Sequence, residues 1–381
     1  MKVKQMPDKT NGTKIWKVLI KGILLFLVVN FALGLLPSGI NPGKLSLYNL
    51  VFPGRFRLPF GENPAEAHNL SLYDLEVMFS SHEINGSKKS PDEFRIILIG
   101  DSATWGTLLQ PGDTLSGMIN RDGLTTLDGK IVQAYNLAYP SMSLTKDLMI
   151  LEKALTYDPD LILWPVTLES FPLSVQINTP LVSNNPERVI PLIEQHHLPL
   201  DEQVSAFEQK TFWDRTLIGR RRALLDAIQL QMYGVLWGAT GIDQTYPNDF
   251  APALRDFEAN ADGFKNWSPP NLPVEELSWE VMDVGAALAD NVPVLVINEP
   301  ILISKGENSD IRYNFFYPRW AYDQYRQMLS AQARTAKWTY VDLWDIVPGE
   351  EFTNSALHLS VDGMKLFYQA LRPSLIQMIH P

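Results

Sequence analysis

The chain of 381 residues contains no cysteine. This absence excludes disulfide bonds, thiolate metal sites, a cysteine nucleophile and a lipid-modified cysteine. The sequence also lacks a glycine-rich nucleotide loop and an HExxH zinc motif, so we expect no cofactor and no metal ion. A surplus of basic residues is missing too, because the net charge is −11, and such an acidic chain offers no electrostatic footprint for nucleic acid.

The composition is otherwise that of a packed globular protein, with 45% hydrophobic and 20% charged residues. The length is sufficient for one large domain or two small ones. Disorder is therefore not expected for most of the chain.

The charge is distributed unevenly. Residues 1–37 contain six lysines and a single aspartate, a local charge of +5, which leaves −16 for the rest of the chain. These lysines lead into an apolar run, and residues 15–37 are long enough to span a membrane if Lys17 and Lys21 extend to the interface. We predict a basic cytoplasmic tail at 1–14, a transmembrane signal anchor at 15–37, and a body outside the cytoplasm.

A cleaved signal peptide is the alternative interpretation of the same residues, because a charged start and a short apolar core are also its pattern. No clear small-x-small cleavage site follows the run. The sequence therefore favours an uncleaved anchor.

The body begins with residues 38–92, which are rich in proline, glycine and asparagine and predict a stalk and packing segment with one helix near "SLYDLEVMF". From residue 93, strand-like and helix-like segments alternate, which predicts an α/β domain at 93–381 with a five-stranded parallel sheet. The predicted strands are 95–100, 131–138, 161–166, 292–299 and 338–343, and the predicted helices are 143–156, 274–290, 320–335 and 361–379. We expect the first of these strands to be central.

One interval breaks this alternation. Residues 169–273 are too long for a simple crossover and predict a helical insertion that forms a cap outside the sheet. Within it, one face of a predicted helix carries Leu224, Leu225, Ile228, Met232, Val235 and Leu236. Three arginines at 220–222 precede that helix and oppose its dipole. They indicate either a solvated face or contact with anionic head groups or an anionic polymer.

The first predicted strand ends on "GDS" at residues 100–102. Its apolar residues do not alternate with polar ones, which is typical of a strand covered on both faces. Ligands bind at the carboxyl ends of such strands, so Ser102 is presented where chemistry takes place. The start of a following helix offers N–H groups to a developing oxyanion.

A serine nucleophile needs a base to take its proton. Of the six histidines, His358 alone follows the last predicted strand and immediately precedes the final helix, which places it at the same edge of the sheet as Ser102. We predict Ser102 as nucleophile and His358 as base, and a structural loop histidine is the alternative.

Three stretches together resemble the SGNH, or GDSL-like, hydrolase family: "GDSATWG" at 100–106, "NLAYPSMS" at 136–143 and "HLSVDG" at 358–363. The resemblance implies a flavodoxin-like three-layer α/β/α sandwich with no cofactor. It further implies that Ser102 is the nucleophile and also an oxyanion donor through its N–H. Ser141 stands where the family has a second donor, a glycine, and His358 is the base.

Two departures from the family pattern concern the oxyanion site and the triad acid. The third block, usually Gly-x-Asn-Asp, reads "WPVTLES", with Thr167 as the nearby hydroxyl. The family's aspartate three residues before the histidine is Ser355 here, with Asn354 beside it. Either a Ser–His dyad suffices with a backbone carbonyl orienting the imidazole, or Glu299 approaches the site as the acid, or catalysis has been lost.

Further candidate residues for substrate or oxyanion binding are Asn136, at the start of the second block, and Arg319, in the long loop after the fourth strand. That loop also contains Asn314 and Tyr317, and it predicts either a substrate-binding loop or an ordered surface loop whose aromatic residues pack on the insertion.

We therefore expect a membrane-anchored serine esterase that hydrolyses acyl esters of a lipid or glycan through an acyl-serine intermediate. One alternative is an O-acyltransferase component that modifies envelope polysaccharide beside a membrane-bound acyltransferase. The other is a catalytically silent glycan-binding protein of the same fold. The expected partners are the membrane and an acylated lipid or polysaccharide.

Overall fold

The computed structural model describes residues 15–35, 47, 51–52, 54–60, 73–86, 88–200, 207, 211–246, 249–253 and 262–380. The predicted cytoplasmic tail at 1–14 and much of the predicted stalk lie outside these residues.

A parallel sheet of five strands organises the body, and the prediction of an α/β domain of this kind is confirmed. The strands are β1 (Glu93–Leu98), β2 (Ile131–Asn136), β3 (Leu161–Val166), β4 (Val294–Asn298) and β5 (Thr339–Asp342). Their order is β2-β1-β3-β4-β5, the flavodoxin-like order. The expectation that the strand before Ser102 is central was wrong, because β3 is the middle strand and β1 lies beside it.

Side chains of the inner strands alternate between two cores. In β1, Ile97 contacts one apolar cluster, whereas Ile96 and Leu98 contact another. Because both faces are buried, the run Ile96–Leu98 is apolar at successive positions, which explains the lack of alternation there in the sequence.

Helices precede, connect and follow the strands of the sheet. The first three are α1 (Ile15–Leu35), α2 (Leu75–Ser81) and α3 (Glu83–Gly86). The next three are α4 (Ser102–Trp105), α5 (Leu115–Asp122) and α6 (Leu144–Ala154). The predicted insertion contains α7 (Pro180–Ser183), α8 (Pro186–His196), α9 (Phe212–Arg215) and α10 (Arg221–Thr240). The last three are α11 (Trp279–Ala289), α12 (Arg319–Gln332) and α13 (Val361–Ile379).

Five of these helices form the outer layers of a three-layer sandwich. Residues of α6, α11 and α12 belong to the first apolar cluster, and residues of α5 and α13 belong to the second. The described part of the insertion contributes no strand to the sheet.

Helix α1 is the one helix of the described residues that is long and apolar enough to cross a membrane. Most of its side chains are exposed, and only Asn30 and Gly34 are buried. Both lie in its last two turns, which contact α9.

Candidate active site

The turn that carries Ser102 depends on a glycine. Gly100 has φ +147°, and a Cβ at this position would lie 2.7 Å from Thr104 Oγ1. Asp101 then caps α4, because its Oδ1 accepts from the Ala103 N–H at 2.8 Å. Ser102 is the first residue of this short helix, at the carboxyl end of β1. Strand β1 ends at Leu98, whereas the predicted strand extends to Gly100.

A small hairpin positions His358. Phe352 and Leu359 form an antiparallel bridge, and the Thr353 N–H donates to the His358 carbonyl at 2.8 Å. Ser360 directly follows as the N-cap of α13, where its Oγ accepts from the Gly363 N–H at 3.0 Å. The imidazole is thus held between a closed turn and the start of a long helix.

The two predicted catalytic side chains meet at the carboxyl edge of the sheet. His358 Nε2 lies 2.7 Å from Ser102 Oγ, and His358 Nδ1 lies 2.8 Å from Asn354 Oδ1. An amide oxygen can only accept a hydrogen bond, so the neutral ring has its proton on Nδ1. Nε2 is then the acceptor for the serine hydroxyl, as a general base requires.

Burial lowers the pKa of His358 from 6.5 to about 4. The imidazole is therefore neutral, and able to accept a proton, throughout the neutral and mildly acidic range. Asn354 orients the ring but has no charge to stabilise the imidazolium that forms during the reaction.

The third partner of this constellation is therefore Asn354 rather than Glu299. The Glu299 carboxyl is hydrogen-bonded to Asp101, the residue directly before Ser102. The sequence pattern indicated Glu299 because it lies at the end of a strand. In the structure, its carboxyl group points toward Asp101 and not toward His358 Nδ1.

Asp101 and Glu299 form a buried carboxyl pair, 3% and 2% exposed. No other group among the described residues donates a hydrogen bond to Asp101 Oδ2 or Glu299 Oε1. Because an ionised carboxylate can only accept, a hydrogen bond between the two carboxyl groups requires a proton on one of them. Burial, followed by the charge of Asp101, raises the pKa of Glu299 well above its usual range. Glu299 is therefore the protonated member, and its O–H donates to the residue that caps α4.

A buried lysine, not singled out by the sequence, lies under the same turn. Lys146 Nζ donates to the Gly100 carbonyl at 2.5 Å and to the Tyr139 carbonyl at 3.1 Å, and it is paired with Asp147. Because both carbonyls belong to loops that follow strands, this ammonium group joins the turn that carries Ser102 to the loop after β2. Its position inside an amphipathic helix pattern gave no sequence signal of this role.

The predicted oxyanion donors are placed as follows. The Ser102 N–H, at the first position of α4, has no intrahelical acceptor. The Ser141 N–H donates to the Tyr139 carbonyl at 2.7 Å, so it does not face the site freely, whereas the Ser141 hydroxyl is without a partner among the described residues. Thr167 Oγ1 donates to the Tyr317 hydroxyl at 2.8 Å. The roles of Ser141 and Thr167 stay predictions.

Asn136 has a supporting position instead of one facing the substrate. Its Nδ2 donates to the carbonyls of Thr104 at 2.8 Å and Trp105 at 3.4 Å, and its Oδ1 accepts from the Ala138 N–H. With the amide fully engaged, Asn136 fixes the carboxyl end of α4.

The loop after β4 is held together internally. Asn314 Oδ1 accepts from the Phe316 and Tyr317 N–H groups, and the Tyr317 ring packs against Phe264 of the insertion. Arg319 donates from Nε to the Ser309 carbonyl at 2.6 Å. The structure thus gives Arg319 a loop contact, and its role in substrate binding stays a prediction.

Comparison with known proteins gives only distant likenesses. No protein-family model and no curated protein matches the chain. A Bacteroides ovatus protein assigned as a GDSL-like lipase is 11% identical with a TM-score of 0.34, over 76% of this chain and 55% of that one. A carbohydrate acetylesterase family member from Sinorhizobium meliloti is 11% identical with a TM-score of 0.32, over 75% and 98% of the two chains.

A third solved structure, the native aryl esterase of M. smegmatis, is 14% identical with a TM-score of 0.32, over 74% of this chain and 99% of that one. Likenesses of this size do not assign an activity.

Proposed function

We propose that this protein is a membrane-anchored serine esterase whose body lies outside the cytoplasm and which cleaves acyl esters of a lipid or glycan. The observation that carries the proposal is the hydrogen bond of 2.7 Å between His358 Nε2 and Ser102 Oγ. A serine and a neutral imidazole in this arrangement are the minimal apparatus for acyl transfer.

The reaction proceeds in two halves. His358 Nε2 takes the Ser102 proton while Oγ attacks the ester carbonyl carbon, and the protonated ring then gives that proton to the departing alkoxide. This leaves an acyl-serine. Water, deprotonated by the same Nε2, attacks the acyl carbon. The bond between Ser102 Oγ and the acyl carbon breaks, Oγ takes the proton from His358, and the carboxylic acid product then ionises by releasing its own proton to solvent.

The site has one assigned oxyanion donor and an uncharged partner for His358, and both features predict a modest rate of ester cleavage. The Ser102 N–H is a first oxyanion donor, and the loss of one further donor typically costs about 10² to 10³ in rate. The amide of Asn354 selects the correct tautomer but adds no charge stabilisation.

The membrane part of the proposal is supported by α1, which is long and apolar enough to span a bilayer, and by the lysines that precede it. Residues 15–37 act as an uncleaved anchor with the lysine-rich end inside.

The test is a panel of acyl esters given to the full chain in detergent, compared with Ser102→Ala and His358→Ala. We expect turnover and covalent labelling by a fluorophosphonate probe, both lost in Ser102→Ala, with Glu280→Gln as an unaffected surface control. Equal turnover in the wild type and Ser102→Ala contradicts the proposal. Acceleration by an added polysaccharide acceptor, with acyl groups recovered on it, indicates transfer instead of hydrolysis.

A further inference from the structure

Helix α10 has an apolar face turned outward. Leu225, Ile228, Met232 and Leu236 follow one another at intervals of three and four residues, so they share one face, and they are 49%, 55%, 65% and 61% exposed. A solvated helix normally presents polar residues here.

The opposite face of α10 contacts the body. Leu230 is buried, and the Gly234 carbonyl accepts from Arg55 Nη2 at 3.2 Å. Gly238 lies against the Phe52 ring. The helix is therefore fixed in orientation by these contacts, and among the described residues its apolar face points away from them.

The segment before α10 contacts the end of α1. Asn30 Oδ1 accepts from the Ile218 N–H at 3.1 Å, and the Phe31 ring lies 5.4 Å from the Phe212 ring and 5.7 Å from the Trp213 ring. These contacts fall within the apolar part of α1. Because α9 contacts the last turns of α1, α9 lies at the same depth in a bilayer as the outer end of α1.

The exposed side chains of this segment fit that depth. Trp213 is 62% and Ile218 51% exposed, and tryptophan is enriched at membrane interfaces. Arg221 and Arg222 are exposed at the start of α10, where their charge opposes the helix dipole. Anionic head groups beside the helix start would attract these guanidinium groups.

We propose that α9, the turn after it and the apolar face of α10 form a membrane-binding surface that lies in the outer interface of a bilayer containing anionic lipids. We name it the interfacial surface. The proposal rests on the proposed anchoring by α1. Its apolar side chains enter the acyl boundary, and residues 220–222 lie at the level of the phosphates.

The interfacial surface is joined to the nucleophile helix. Arg55, which holds α10, is paired with Asp243. The neighbouring Arg57 donates to the carbonyls of Gly106 at 2.9 Å and Leu109 at 3.1 Å, directly after α4. Membrane contact therefore fixes the direction of the Ser102 edge relative to the bilayer, which suits an ester substrate carried by a lipid.

The absence of cysteine makes site-directed spin labelling direct. Full-length Ile228→Cys, Met232→Cys and Leu236→Cys are labelled with a nitroxide in nanodiscs of phosphatidylcholine and phosphatidylglycerol, and collisions with oxygen and with a water-soluble nickel chelate are compared. We expect oxygen to dominate at all three positions. Arg334→Cys is the matched control, because Arg334 is exposed and lies shortly before the amino end of β5. We expect nickel to dominate at this position.

Labels on α10 that are as open to nickel as the Arg334→Cys label overturn the proposal. Labels shielded from both reagents, in detergent as in nanodiscs, also overturn it, because a second copy or another protein then covers the face. Leu25→Cys separates this failure from a failure of the anchor: oxygen dominance there with nickel dominance on α10 means that the chain is anchored but the interfacial surface is not immersed.

The arginines are tested by Arg220→Gln/Arg221→Gln/Arg222→Gln in the Met232→Cys background. We expect phosphatidylglycerol to deepen the label in the parent, and this lipid dependence to disappear in the triple variant. An unchanged lipid dependence overturns the assignment of these arginines to anionic head groups.

Discussion

At the scale of single residues, the amide of Asn354 sets the power of the base. We expect Asn354→Asp to raise kcat/KM at neutral pH by about tenfold or more, because a carboxylate stabilises the imidazolium that an amide only orients. The carboxylate also raises the pKa of His358, so the acid limb of the pH–rate profile, expected near pH 4 in the parent, moves upward.

The control for this change is Asn354→Ala, which removes the acceptor for Nδ1 and leaves both tautomers of the ring available. We expect it to lower kcat with little change in KM. Identical pH–rate profiles for the parent and Asn354→Asp would falsify the assignment of Asn354 to the ring.

The protonated state of Glu299 predicts a different pH dependence, that of stability. A folded pKa raised above the unfolded value means that the native state keeps a proton that the unfolded chain loses. This contribution is complete below about pH 4.3, the unfolded pKa, and is lost as the pH rises toward the folded pKa. The buried neighbours Asp101 and Asp147 act in the same direction, because burial also raises the pKa of each, while the Lys146 charge opposes this.

Glu299→Gln removes the titrating carboxyl but keeps an N–H donor for Asp101. We expect its Tm relative to the parent to increase steadily between about pH 5 and 9, because one source of alkaline destabilisation is gone. Thermal unfolding across that range is the measurement, with Glu280→Gln, an exposed glutamate, as the matched control. Parallel curves for the parent and Glu299→Gln contradict a neutral Glu299.

At the scale of elements, the segment 54–60 supports α4 through Arg57. Its guanidinium donates to two carbonyls and lies 4.4 Å from the centre of the Trp105 ring. Burial lowers the pKa of Arg57 to about 10, so the group is still charged at neutral pH. The helix that begins with Ser102 is thus fixed by a residue distant in the chain.

We expect Arg57→Ala to lower the Tm by several degrees and kcat together. Each buried carbonyl left without a donor costs about 1–3 kcal/mol, and the carboxyl end of α4 loses its support. Thermal unfolding and ester turnover are measured beside Arg334→Ala, an exposed arginine. A variant that is as stable and active as this control shows that α4 is held without Arg57.

At the scale of the whole molecule, the question is whether the body stays attached to its first helix. We expect intact mass spectrometry of the membrane fraction to give a chain that retains residues 1–37, because no cleavage pattern follows the apolar run. The chain is also expected to remain in membranes after an alkaline carbonate wash. A mature N-terminus at residues 35–45 rules the anchor out.

Cleavage after α1 would also change the fold, because the end of α1 contacts the insertion. Asn30 and Phe31 cover α9, so loss of the helix exposes Phe212 and leaves the Ile218 N–H without its acceptor. The insertion and the anchor thus form one unit at the proposed membrane surface.

The sequence by itself determined the sheet and the meeting of Ser102 with His358. Both follow from local order: non-alternating apolar runs are buried on two faces, and the carboxyl ends of parallel strands share an edge. It could not determine which group faces His358 Nδ1, the direction of Glu299 or the burial of Lys146, because each depends on contacts between distant parts of the chain. The fixed outward face of α10 was decided the same way, by the contact of Arg55 with the Gly234 carbonyl and by the contact of α1 with the segment before α10.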